Sequence, residues 1–311
     1  MLCKRDLKTL QNEAFERSLR PTNARNEQPE RASPFIDFQI SEKNMPYEFT
    51  HLLLKCDAND FSVLISQIDS YVNFSSDSEL KELLSTYRKD LTNESKTALA
   101  KCLEREIRYV GSADIAYAIR KLTGDDNPAG VSIHEIIGDV SKKLKVKQKL
   151  VGTPEAKVER LVKWVVEKTF FALKPEQQRE LFEKAKVGKG QQDEFFEKIK
   201  TNKAHFLPML LSLLGPEITA TIVQGLAITA MAAFMGRKAA EELFKNLATR
   251  FPWWAEWLGP IVWGLSLGWL AIDLQGAANR KTIPVLLYLG IVGLRDGPED
   301  GEAFWNEPAE I

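Results

Sequence analysis

His134-Glu135-Ile136-Ile137-Gly138 is the stretch of this chain that comes nearest to a reaction. A zinc hydrolase uses two histidines four residues apart on one helix, so that both imidazoles reach the same ion and the intervening glutamate serves as base. Here Gly138 stands where the second histidine is needed, and His51 and His205 are the only other histidines. A lone histidine does not make the ligand set, so no metal site is expected. Lys186-Val187-Gly188-Lys189-Gly190 has a lysine among glycines but neither the spacing nor the Gly-Lys-Ser/Thr ending of a phosphate loop, and it reads as a turn. Glu104 with Glu106, and Asp125 with Asp126, pair carboxylates along the sequence. Neighbours one or two apart on a helix point to different faces, which sets up no acid–base couple. There is no GxSxG elbow, dinucleotide-binding glycine loop or kinase signature. The sequence therefore assigns no catalytic residue, no cofactor and no metal, and the expectation is a non-enzymatic protein.

Charge and cysteine content narrow the class further. Forty-two basic residues against 43 acidic ones leave a net charge of −1, which excludes a strongly basic nucleic-acid binder. Cys3, Cys56 and Cys102 form no CxxC pair and suit a reducing compartment. The first residues lack the apolar core of a secretory signal and mix Asp6, Glu13 and Glu16 with their basic residues. The expected location is the cytoplasm or the cytoplasmic face of a membrane.

Apolar residues recur at helical spacing almost throughout, and sustained alternation of the β type appears nowhere. The predicted class is all-α, a multi-helix bundle. Residues 1–45 form an extension and linker, with a short helical pattern at Leu7, Leu10 and Ala14 followed by Pro21, Pro29 and Pro34. Residues 46–204 form a charged helical domain. In it Asp57, Asp77 and Ser132 are expected caps, Gly111 a stop, and Thr97–Val110 a helix. A strong amphipathic helix follows Gly152-Thr153-Pro154, with Val158, Leu161, Val162, Val165 and Val166 on its apolar face and Lys157, Glu159, Arg160 and Lys163 largely off it. Pro175 starts the next helix, and Asp193–Lys200 makes another. Residues 205–295 are an apolar helical region broken at Gly215-Pro216, and 296–311 are an acidic tail expected to be disordered around Phe304-Trp305.

Four segments carry a family resemblance. Tyr47–Gln67 (YEFTHLLLKCDANDFSVLISQ), Gly111–Arg120 (GSADIAYAIR), Ile136–Lys147 (IIGDVSKKLKVK) and Arg280–Arg295 (RKTIPVLLYLGIVGLR) occur in this order. Together they resemble the YaaW family of uncharacterised bacterial proteins, which is grouped with the ubiquinol–cytochrome c chaperone domain. The resemblance implies an all-α, chaperone-like fold over residues 46–204 and supplies no catalytic residue. The insertion Asp125–Gly130 and the tryptophan-rich segment depart from the family pattern.

Within the apolar region, Ile218–Met235 is uncharged over 18 residues and Trp257–Ile272 over 16. As helices they span roughly 27 Å and roughly 24 Å, the lower edge of what a bilayer core of roughly 30 Å requires. Ile283–Leu294 falls short of that length. The reading favoured by the sequence is a C-terminal, Trp/Gly-rich hairpin that meets a membrane. Trp253, Trp254, Trp257, Trp263 and Trp269 are its interfacial candidates, and Arg237 and Lys238 its contacts to anionic lipid. The competing reading makes the same runs the core of a helical bundle. Lys142, Lys143, Lys145, Lys147 and Lys149 form a basic patch, either a lipid contact or a solvated helix end. The expected function is a membrane-associated binding or assembly protein, with lipid and a protein client or second copy as partners. No nucleic acid and no small-molecule substrate is expected. The alternatives are a membrane-active effector that inserts the hairpin and a soluble helical scaffold.

Overall fold

In the computed structural model the chain divides into two units, Met1–Asn44 and Met45–Ile311. The described residues are 48–68, 74–111, 131–235, 240, 241, 243, 245 and 277–308, all in the second unit. Among them are eleven α-helices and no strand, the all-α bundle that the periodicity predicts. In chain order they are α1 (Thr50–Leu53), α2 (Ala58–Ile68), α3 (Phe74–Asp90), α4 (Asn93–Val110), α5 (Ile133–Leu144) and α6 (Pro154–Ala172). Then come α7 (Pro175–Lys184), α8 (Lys189–Thr201), α9 (Phe206–Met235), α10 (Ala277–Gly293) and α11 (Glu302–Asn306).

The helix starts follow from local chemistry. Asp57 Oδ1 accepts from the amides of Asn59 and Asp60 at 2.8 and 2.9 Å, and Asp60 Oδ2 accepts from the Asp57 amide at 2.8 Å. Ser132 caps α5 through the Glu135 amide, and Thr153 caps α6 through the Ala156 amide, with Pro154 in the first turn. Two expectations need correction. Asp77 is no cap, because α3 begins earlier, at Phe74; Thr97 lies inside α4, whose cap is Thr92. In both cases an upstream residue starts the helix, so the expected cap Asp77 and the expected first residue Thr97 both fall within it.

α10 is the axis of the bundle. Thr282–Leu294 is buried at every position, and α10 packs against α1, α2, α4, α5, α6 and α9. A helix apolar on all sides is stable in water only when surrounded. Its crossing with α6 is unusually close: a Cβ placed on Gly290 would lie 2.7 Å from the Val158 carbonyl oxygen and would overlap the Val162 side chain. At Gly293 a Cβ would lie 2.9 Å from Glu159 Oε1. Hydrogen at Gly290 lets the two backbones meet, and at Gly293 it leaves room for the Glu159 side chain.

α9 is kinked where Gly215 adopts φ 78° and ψ 171° before Pro216, as the Gly-Pro pair predicts. Thr219 Oγ1 donates to the Gly215 carbonyl at 2.7 Å and re-satisfies the opened turn. Beyond the kink, Gly225–Phe234 is buried all round. Phe170, Phe182, Phe195 and Phe206 gather where α6, α7, α8 and α9 meet, with ring centroids 4.5–6.2 Å apart.

The largest departure from expectation is the acidic tail. Leu294–Asp296 is a 3-10 turn, and α11 follows two glycines at positive φ, Gly297 and Gly301. Phe304 on α11 is 1% exposed. A low apolar content argues for disorder only when nothing nearby matches the charges, and α6 matches them.

Candidate functional site

The helix α6 reads as amphipathic in one dimension, yet it is buried on both faces. Its apolar face, Val158, Leu161, Val162, Val165 and Val166, is buried as expected. Glu159, Arg160 and Lys163, expected to lie largely off that face, are buried too, as are Glu155 and Glu167, while Lys157 is half-buried. Glu155, Glu159, Lys163 and Glu167 are spaced four apart, so the helix turn stacks them in one row.

The C-terminal segment Glu299–Glu307 lies over this row. Glu159 Oε2 accepts from the Glu299 amide at 2.9 Å. Arg160 binds Asp300 at 2.6 Å and grips the Glu307 carboxylate through Nε and Nη2, the shorter contact being 2.6 Å. Lys163, 1% exposed, donates to the carbonyls of Phe304 at 3.0 Å and Glu307 at 2.6 Å. Its ammonium also faces the Phe304 ring, 5.4 Å from the centroid. Gln148 donates to Glu307 at 3.3 Å. At the upper end of the row Glu155 pairs with His51 at 2.8 Å.

Burial sets the proton affinities of the row. It pushes the Glu159 carboxyl up to about 7, against the Glu299 amide and Lys55, which favour the charged form. It pushes Glu167 up to about 8 against Lys163 and Lys168, with Glu307 adding to the rise, and it pushes Lys163 down. Glu159 Oε1, Glu167 Oε1 and Trp164 Nε1 are buried with no hydrogen-bond partner. Acids raised from their ordinary 4.5 contribute stability that is complete below about pH 4.5 and is lost as the pH climbs through 7 and 8. The melting temperature is therefore expected to fall from about pH 4.5 to about pH 8, and Glu167→Gln to flatten that fall, most of all between pH 7 and 8. Thermal melts of both proteins across the range check this; a variant profile parallel to the wild type would remove Glu167 from the account.

A second polar node ties α2 to α10. Asp60, fully buried, accepts from Tyr288 Oη at 2.9 Å and from both terminal nitrogens of Arg295 at 2.9 and 3.0 Å. Glu104 Oε2 accepts from the Phe49 amide and Thr50 Oγ1 and so holds the start of α1. Cys56 and Cys102 are buried free thiols, both pushed up by burial, Cys102 to about 12, and are poor nucleophiles.

Among the described residues, the basic patch singled out from the sequence is not brought together with this row. Lys142, Lys145, Lys147 and Lys149 are exposed and Lys143 half-buried, at the end of α5 and just beyond it; Lys142 pairs with Asp139 at 3.5 Å. Trp253, Trp254, Trp257, Trp263, Trp269, Arg237 and Lys238 lie outside the described residues, as does the expected hairpin turn. His134 meets Lys157 at 3.1 Å, and no group of three potential metal ligands occurs among the described residues. The sequence does carry a signal for the α6 row: four-residue spacing of charges beside an aromatic pair stranded in an acidic tail.

The fold and the row define a helical bundle whose buried charges are committed to a peptide segment. No family model, no curated protein and no solved structure matches the chain.

Proposed function

We propose that this is a non-enzymatic helical binding or assembly protein that associates with membranes through its C-terminal apolar region. The observation that carries the reading is Lys203–Met235, 33 residues and the one helical stretch among the described residues long and apolar enough to cross a bilayer. In the bundle 67% of its most apolar window is buried, so here it is a core helix. Lipid contact then falls to the region after it, with Trp253, Trp254, Trp257, Trp263 and Trp269 at the headgroups and Arg237 and Lys238 on anionic lipid. The exposed lysines 142, 145, 147 and 149 add an electrostatic contact of about 1 kcal/mol each near an anionic surface. The location proposed with this is the cytoplasm or the cytoplasmic membrane face, and the YaaW-like segments are proposed as the mark of a chaperone-like relative.

The burial of α9 beneath charged helices favours one second reading: an effector that is stored folded and inserts its apolar helices on contact with lipid. Flotation and dye release with anionic liposomes distinguish the two. Flotation without release is the expected result, release points to the effector, and failure to float would leave only a soluble scaffold.

A further inference from the structure

We propose that the seat formed by Arg160 and Lys163 of α6 beside α9 is a peptide-binding groove, occupied in the resting protein by its own C-terminal segment. Its ligand would be a client segment bearing an aromatic residue and, three residues on, a carboxylate. The inference rests on the reading of this chain as a binding or assembly protein and names the partner chemistry of that function.

The seated segment shows what the groove recognises. Phe304 is 1% exposed and joins the apolar core, on the helix α11 that packs against α9. Glu307, three residues later and so on the same side of a helical turn, meets the Arg160 guanidinium in a two-point grip. Lys163 reads the backbone through two carbonyl oxygens, which any peptide offers. These are one aromatic anchor, one carboxylate and main-chain bonds, the elements of short-peptide recognition. A cation as deeply buried as Lys163 costs stability unless its partners stay in place. Here its hydrogen-bond acceptors belong to a peripheral segment, while Glu167 on α6 stays beside the ammonium as a fixed charge.

The occupant is built to leave. α11 has five residues, too few for a helix stable by itself. It hangs on a loop with Gly297 at φ 99° and Gly301 at φ 56° on either side of Pro298. At its near end a single main-chain bond, from the Glu299 amide to Glu159, holds it, and the Glu299 carboxylate disfavours the charge on Glu159. A tethered segment of this kind acts at an effective concentration on the order of millimolar, so it masks the groove from a free ligand of modest affinity.

The test uses the full chain and a fluorescent peptide of the sequence Gly301–Pro308, GEAFWNEP, followed by anisotropy without lipid. Weak binding to the wild type and at least tenfold tighter binding to the Phe304→Ala/Glu307→Ala chain is expected. Peptides changed at the phenylalanine to alanine, or at the last glutamate to glutamine, are expected to bind that chain at least tenfold more weakly. If circular dichroism shows the double variant unfolded, Glu307→Gln replaces it and loosens only the carboxylate grip. Absence of binding to the opened chain, or equal binding of the altered peptides, overturns the groove. Liposome flotation of the same preparations separates the failures: a chain that floats but ignores the peptide refutes the groove alone, and one that does neither refutes the membrane reading as well.

Discussion

Gly290→Ala is expected to destabilise the protein by about 3 kcal/mol, the upper end of the usual cost of overpacking. The added methyl would stand 2.7 Å from the Val158 carbonyl oxygen, and a backbone atom in the middle of α6 cannot rotate aside as a side chain can. Relief requires α6 and α10 to separate, which loosens the bundle along its axis. Gly138→Ala is the matched control. Gly138 lies within α5 with nothing within 4 Å of a built Cβ, so the same substitution there should stabilise by roughly 0.5–1 kcal/mol through helix propensity. Urea unfolding of both variants checks the pair, and equal effects at the two positions would refute the close crossing.

Asp60→Ala is expected to cost about 3 kcal/mol, the lower end of the range for breaking a buried ion pair, because Asp60 is fully buried while the Arg295 side chain is 35% exposed. The Asp60 carboxylate takes both terminal nitrogens of Arg295 and the Tyr288 hydroxyl, and it also closes the reciprocal cap with Asp57. Its loss takes this acceptor from four donors, the Tyr288 hydroxyl, two Arg295 nitrogens and the Asp57 amide, and unties α2 from the end of α10. Asp60→Asn keeps one acceptor oxygen and should cost distinctly less. Should urea midpoints show the alanine variant within about 0.5 kcal/mol of wild type, as for an ordinary surface change, the node would have no structural weight.

The contrast between these positions shows how far the sequence alone carries. The helical class and many helix starts are legible because they are set locally: Asp57, Ser132 and Thr153 each cap the helix that follows, and Gly215-Pro216 marks the kink in α9. The central place of α10 is legible only in part. Ile283–Leu294 is too short for a membrane span, but nothing in the run itself says how many helices surround it. The α6 row is the clearest miss. Glu159, Arg160 and Lys163 look like a solvated face because their partners, Asp300 and Glu307, stand about 140 residues away. The tail looks disordered for the same reason, since its order comes from α6 and not from its own composition. Asp60 is buried against Tyr288 and Arg295 through a still more distant pairing, 228 and 235 residues along the chain.

The central claim is association with membranes, and fractionation of the native protein with a carbonate wash tests it most directly. Recovery in the membrane pellet is predicted, with retention after carbonate if the apolar region is embedded and release if the contact is peripheral. Recovery wholly in the soluble fraction, together with failure to float with anionic liposomes, would contradict the claim and leave α9 and α10 as the core of a soluble bundle.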